Sequence, residues 1–209
     1  MEKENCLVKI IEKNNLSIKN NPYGTIRLWP YSYVELFYNS FCNKLYKINP
    51  SAWILEVNQE NNLNLKIWDL FFNKPNIKNI NLGKLKENKY AQFSKFDMII
   101  IKNKYILNDQ KTISNLINSL NSHGGLIIEN IGRESKSIIQ IYLKYFMKFK
   151  IDIYDFRYNR FILKNCLLLI EKKKNFSIFN RIKSLVLLFK FLLTEFFISF
   201  LLFTFRKKN

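Results

Sequence analysis

The sequence predicts a doubly wound α/β fold: a mainly parallel sheet, a strand hairpin near its C-terminal end and an appended apolar helix. Three observations predict it. Short continuous apolar runs at 52–57, 96–101 and 126–129 read as strands buried on both faces. Segments with helical spacing lie between them. The connections are short, which favours parallel strands with crossover helices packed on both sides.

The elements follow in order. Leu7, Ile10, Ile11 and Leu16 have helical spacing and predict a short N-terminal helix. Asn20-Asn21-Pro22-Tyr23-Gly24 reads as a turn. Tyr33, Phe37 and Phe41 recur every four residues, the stripe of a helix with one aromatic face. Residues 52–57 (AWILEV) form the first strand, and Leu63, Ile67, Leu70 and Phe71 a helix that Pro75 stops. The second strand is expected at 77–82 and the third at 96–101. Asp109 is placed to cap a helix carrying Ile113, Leu116, Ile117 and Leu120, and His123-Gly124-Gly125 to end it. Residues 126–129 follow as the fourth strand and 135–148 as a helix. Residues 151–156 and 160–171 are expected to be the final hairpin, turning near Tyr158-Asn159. The chain divides into an N-terminal arm (1–21), an α/β domain (22–172) and a basic apolar helix (173–209).

The 209 residues suit one domain with an appendage, and 48% hydrophobic content is enough for a sizeable core. Cys6, Cys42 and Cys166 are widely spaced, with no CxxC, so neither a disulfide framework nor a zinc site is indicated and a reducing compartment fits. The charged first 21 residues contain no apolar signal core. The net charge of +18 invites nucleic acid or anionic lipid as partner. Part of that charge is diffuse, in a sequence rich in Lys, Asn and Ile throughout. No RNA-binding motif or aromatic platform accompanies it, so nucleic acid rests on charge alone.

The concentrated part of the charge lies at the end. From Lys172 the chain carries nine Lys and Arg residues against one acid, Glu195. Residues 185–205 are largely apolar and as a helix would be about 31 Å long, close to the hydrocarbon thickness of a bilayer. Glu195 in mid-span would cost about 2.5–3.5 kcal/mol. Basic clusters at both ends give no orientation. Three placements stay open: a helix lying in the interface, a spanning helix, and one packed on protein. The expected partner is an anionic membrane surface met by residues 176–209, with the protein cytoplasmic and peripheral at the inner face. A homo-oligomer is a further option.

In open α/β sheets the ligand binds beyond the carboxyl ends of the strands. The residues to watch are therefore Glu56 to Asn62, Asn81, Lys102 to Tyr105, and Glu129-Asn130. Here the chain resembles the class I S-adenosylmethionine-dependent methyltransferases, which have a Rossmann-like sheet, and within them the branch associated with sugar-tailoring and cell-envelope genes. Gly24-Thr25 with Tyr31-Ser32-Tyr33 is similar to the branch's opening segment. Leu55-Glu56-Val57-Asn58, with Leu63 to Trp68 after it, resembles its first strand and following helix. Phe96 to Tyr105, then Asp109-Gln110, resembles its third motif, and Gly124 to Asn130 its fourth. The resemblance covers about residues 22–172. Each motif alone is weak; four in order are more specific.

The resemblance implies S-adenosylmethionine as cofactor, contacted by Glu56, Asn58, Gln59, Asn62, Asn81 and Lys102, and a glycan or envelope precursor as methyl acceptor. Asn58 and Asn62 stand at the family's glycine positions, where Asn tolerates left-handed backbone best among non-glycines. Asn81 replaces the acid that holds the ribose hydroxyls. Ile101 and Lys102 replace the paired aspartates of metal-dependent relatives, so no metal is expected. Tyr105 replaces the following histidine. Tyr105 and Glu129 are the remaining catalytic candidates, with Lys104 as a third. Lys102 and Lys104 read first as solvated loop lysines and His123 as a helix-end residue, and Tyr105 reads equally as a packing residue. With these substitutions the expected function is a degenerate methyltransferase. The alternative is a non-catalytic pseudoenzyme that keeps the fold for binding or scaffolding.

Overall fold

A computed structural model describes residues 6–14, 16, 37–57, 63–81, 83, 95–102, 104–132, 134–155, 166–172 and 177–206. Six strands form one sheet: β1 (Trp53–Val57), β2 (Asn76–Ile80), β3 (Phe96–Ile101), β4 (Leu120–Glu129), β5 (Lys150–Asp155) and β6 (Cys166–Glu171). Their order is β2-β1-β3-β4-β6-β5. The first four are parallel, and β6 runs antiparallel to both β4 and β5. The chain moves outward from β1 to β2, then returns to place β3 on the other side of β1. That reversal opens a crevice at the carboxyl ends of β1 and β3.

Period-two alternation splits the core into two layers, because successive side chains leave a strand on opposite faces. One layer takes Ile54, Met98, Ile100, Ile127 and Leu169 from the sheet. Helices α1 (Leu7–Lys13), α2 (Asn39–Ile48) and α3 (Leu63–Phe71) cover it, bringing Leu7, Ile11, Phe41, Leu45, Ile67 and Trp68. The other takes Leu55, Ile99, Ile101, Ile128 and Ile170. Helices α4 (Gln110–Asn118), α5 (Ser135–Tyr145) and α6 (Ile178–Arg206) cover that side with Ile113, Leu116, Ile138, Ile141 and Phe191. The doubly wound fold expected from the sequence is the one observed.

Several expectations are corrected. Leu120 belongs to β4, not to the helix before it, which ends at Asn118. His123-Gly124-Gly125 therefore lies within β4, and His123 is exposed there instead of ending a helix. The glycines serve close packing. A Cβ on Gly124 would lie 2.7 Å from the Phe96 carbonyl oxygen, and one on Gly125 2.7 Å from Cζ of Phe41. The register between β3 and β4 shifts there, from Phe96 opposite Leu120 to Met98 opposite Gly125. Leu70 is exposed, and Trp68 fills the core position instead. The second strand ends at Ile80 and is mostly exposed, because it pairs with β1 alone among the described strands. The helix expected at 135–148 ends at Tyr145. The turns at 20–24 and 158–159, and Tyr33, lie outside the described residues.

Asp109 caps α4 as expected, accepting from the Thr112 amide at 3.0 Å and the Thr112 hydroxyl at 2.8 Å. At the amino edge of the parallel strands, Asp97 accepts from the side chains of Asn49 (2.7 Å) and Asn121 (2.6 Å) and from the Trp53 amide (2.9 Å). These bonds tie α2, β1 and β4 to β3. Helix α6 is anchored through Ser184. Its hydroxyl donates to Asp152 at 3.1 Å, and its carbonyl lies 3.1 Å from the Tyr142 hydroxyl, which also reaches the Ile151 carbonyl at 2.8 Å. Among the described residues, no helix is long and apolar enough to cross a membrane.

A buried ion network closes the hairpin end. Lys150 pairs with Asp152 and with Glu171 (2.8 Å), and Lys44 of α2 reaches Glu171 at 2.6 Å. Burial by itself raises the Glu171 pKa, but hydrogen bonds from Lys150 and Lys44 outweigh it and bring it down to about 2. A depressed carboxylate pKa stabilises the fold above the unfolded value of about 4.3 and ceases to do so as pH falls through the folded value. The thermal midpoint should therefore drop between about pH 4.5 and pH 2, and Glu171→Gln should flatten that part of the profile. Lys150→Met should cost about 3–5 kcal/mol in urea unfolding at neutral pH, since it leaves buried Asp152 without its cation and Glu171 with Lys44 alone.

Candidate functional site at the carboxyl edge of the sheet

Two carboxylates lie buried on one face of the sheet near its carboxyl edge. Glu56 on β1 is level with Ile100 on β3, and Ile100 with Ile127 on β4. Glu129 stands two residues beyond Ile127 and points to the same face. Each carboxylate takes a hydrogen bond from an aromatic side chain on the covering layer. Trp68 of α3 donates its indole N–H to Glu56 at 2.5 Å. Tyr38, in the turn that leads into α2, donates its hydroxyl to Glu129 at 2.6 Å. The two aromatic rings approach to 5.6 Å between centroids, so the four residues form one continuous cluster.

The local sequence explains why these donors reach the edge. Phe37 and Phe41 stack at 5.5 Å, and Phe37 packs on Tyr154 of β5 at 4.9 Å. This aromatic stripe sets the turn against the sheet and carries Tyr38 inward beside it. Buried tyrosine and tryptophan need a partner for their polar tip, and a carboxylate is a strong acceptor. Tyr38 is fully buried. Desolvation first, then the neighbouring charge of Glu129 and its hydrogen bond, hold the phenol well above its ordinary pKa. It stays protonated and remains a donor across the physiological range. Immediately after Glu129, Asn130 adopts φ 59°, the left-handed region that Asn tolerates better than most side chains. This backbone twist ends β4 at the site.

The other candidates form a rim of different character. Asn81 follows β2 and is exposed. Lys102 is half-buried at the end of β3. Tyr105 is 66% exposed on the 3₁₀ turn Lys104–Asn108, whereas Glu129 is 1% exposed. The two catalytic candidates thus differ in access: Tyr105 is open, and Glu129 is sealed under Tyr38. Ile101, at the first of the positions where related metal enzymes carry aspartates, is part of the core. Among the described residues, no group of three or more His, Cys, Asp or Glu is placed to hold a metal ion. Asn58, Gln59 and Asn62 lie outside the described residues. The cysteines are free thiols, and burial raises the pKa of Cys42.

Sequence reasoning missed Tyr38 and gave Trp68 no role. The signal was present: a polar-tipped aromatic beside the buried stripe Phe37/Phe41, and another in the core of α3. Each implies a buried acceptor elsewhere.

The Asn81 amide can both accept and donate hydrogen bonds, and Lys102 supplies a cationic donor at the end of β3. The fold is the Rossmann-like fold of the class I S-adenosylmethionine-dependent methyltransferases. The solved structures with this fold include MycE methyltransferase from the mycinamycin biosynthetic pathway, in complex with Mg and S-adenosylhomocysteine. It has 13% identity and a TM-score of 0.51 over 83% of this chain. The match spans 57% of the MycE chain. A putative O-methyltransferase from Klebsiella pneumoniae matches 80% of this chain and 90% of its own, with 8% identity and a TM-score of 0.50. No protein-family model and no curated protein sequence matches the chain.

Tyr38→Phe should destabilise the protein by about 1–3 kcal/mol, the cost of removing a donor from a buried charge. Adding Glu129→Gln should recover part of that loss, so a double-mutant cycle by urea unfolding should show coupling between the two positions. Strictly additive effects would mean that the hydrogen bond contributes nothing to the fold.

Proposed function

We propose that this protein binds S-adenosylmethionine at the carboxyl edge of β1 to β4 and methylates a hydroxyl of a sugar or cell-envelope precursor on the cytoplasmic side of a membrane. One observation carries the reading. Glu56 and Glu129 are kept as buried carboxylates on strands flanking β3 beside the reversal in strand order, each with a dedicated aromatic donor. Burying a carboxylate costs several kcal/mol unless it is hydrogen-bonded, and an interior built for stability alone would carry apolar residues there.

In this reading Asn81 holds the ribose hydroxyls. Glu56 and Lys102, with Asn58, Gln59 and Asn62 from the segment after β1, surround the rest of the cofactor. When bound, S-adenosylmethionine supplies a methyl group activated by its sulfonium charge. Tyr105 is the accessible hydroxyl that meets and orients the acceptor hydroxyl, whose proton leaves to solvent as the methyl group is transferred. Glu129 acts through Tyr38: it holds the turn before α2 on the site and keeps the edge dry.

The departures at Asn58, Asn62 and Asn81 support a second reading, a binding module without catalysis. Protein donors from Tyr38 and Trp68 already engage both carboxylates, which favours it further. Calorimetry with S-adenosylhomocysteine separates the two. Binding tighter than about 1 mM, weakened about tenfold by Asn81→Ala, supports the cofactor reading. No heat at that concentration would leave the non-catalytic module as the better account.

A further inference from the structure

The structure resolves the conflict that the C-terminal segment poses in the sequence. Helix α6 packs its inward face on β5 and α5 through Phe191, fully buried, together with Ser184, Thr194 and Glu195. Glu195, the one acid of the segment, is thus turned into the protein. The outward face is left apolar. Phe179, Ile182, Val186, Phe189, Leu193 and Phe196 recur at alternating steps of three and four residues, which makes one continuous stripe. Every one of them is exposed, Phe189 at 63% and Phe196 at 73%.

Leu143, 81% exposed, and Met147 extend the apolar area from the end of α5, where Arg181 reaches the Met147 carbonyl at 3.4 Å. The charges beside the stripe have one sign. Lys183 and Lys190, seven residues apart, are both exposed on the same flank, and Lys144 on α5 and Lys148 in the turn after it are exposed as well. Neither α5 nor α6 carries an exposed acid among its described side chains, and exposed Asp69 of α3 belongs to the layer on the opposite face of the sheet.

We infer that the outward face of α6, with the exposed end of α5, lies flat on an anionic lipid bilayer. The stripe enters the headgroup boundary, and Lys183 and Lys190 sit on lipid phosphates. An apolar stripe flanked only by cations is complementary to that surface. A second copy of the chain pairing through the same face would instead bring lysines against lysines in a molecule of net charge +18. Burial of Glu195 removes the charge that would otherwise oppose insertion, so a helix lying in the plane needs no protonated acid. The placement gives the methyl-transfer reading its surface, but it stands independently of whether the crevice binds a cofactor.

The test is flotation of the full-length protein with vesicles of phosphatidylcholine, with and without phosphatidylglycerol. The wild type should float with the anionic vesicles and scarcely with the neutral ones. Lys183→Gln with Lys190→Gln should lower anionic partitioning about thirtyfold, and Phe189→Asp with Leu193→Asp should abolish it. Both substituted pairs are exposed, so the melting temperature should hold, and S-adenosylhomocysteine calorimetry on the same variants should match the wild type whether or not that binds. Equal flotation of wild type and variants would overturn the inference. So would a lipid-free dimer that Phe189→Asp dissociates, which would assign the face to a second copy. Wild-type protein that resists alkaline extraction from vesicles would also overturn it, in favour of a spanning helix.

Discussion

Carboxylates placed inside a sheet that is covered on both faces have few ways to persist. They must be paired, hydrogen-bonded or protonated, and the surrounding helices must supply whichever partner is needed. Glu56 and Glu129 impose that constraint here. Trp68 answers the first from α3 and Tyr38 the second from the turn before α2. The seating of both covering elements over the carboxyl edge is therefore tied to the two acids. The aromatic stacking of Phe37, Phe41 and Tyr154 supplies the packing that holds the donors in place.

The opposite end of the sheet meets the same constraint in another way. Asp152 and Glu171 are buried, but they pair with Lys150 and Lys44, and Asp152 also takes the Ser184 hydroxyl. Cations compensate the carboxylates of β5 and β6, and neutral aromatic donors those of β1 and β4. The difference is chemical as well as geometric. A lysine partner neutralises the charge locally. A tyrosine or tryptophan donor satisfies the carboxylate oxygen by a hydrogen bond and brings no opposite charge.

The two faces of the sheet also divide the molecule by role. The layer of α1, α2 and α3 brings the donors to the candidate site. The layer of α4, α5 and α6 closes the core and turns an apolar, basic surface outward. Because β4 and β6 contribute side chains to both layers, the site and the outer surface share a rigid support. They do not share residues.

Much of the fold was legible from periodicity and local chemistry. Residues 52–57 and 96–101 read as strands because strands buried on both faces need continuous apolar runs. Asp109 announced α4 because a helix start needs an acceptor. The family motifs placed Glu56, Asn81, Lys102 and Glu129 at the carboxyl ends of their strands. The boundary at Asn118–Leu120 was not legible. Only the approach of β3, with its carbonyl at Phe96 and the ring of Phe41 above, shows that Gly124-Gly125 belongs to a strand and must lack side chains. The partners of Glu56 and Glu129 were hidden for the same reason, since Tyr38 and Glu129 are 91 residues apart and no local pattern links them. Glu195 shows the division most simply. The sequence by itself determined that a charge sits within an apolar helix, because composition is local. Which way that charge faces was decided by the packing of α6 on β5, a long-range contact that only the folded chain contains.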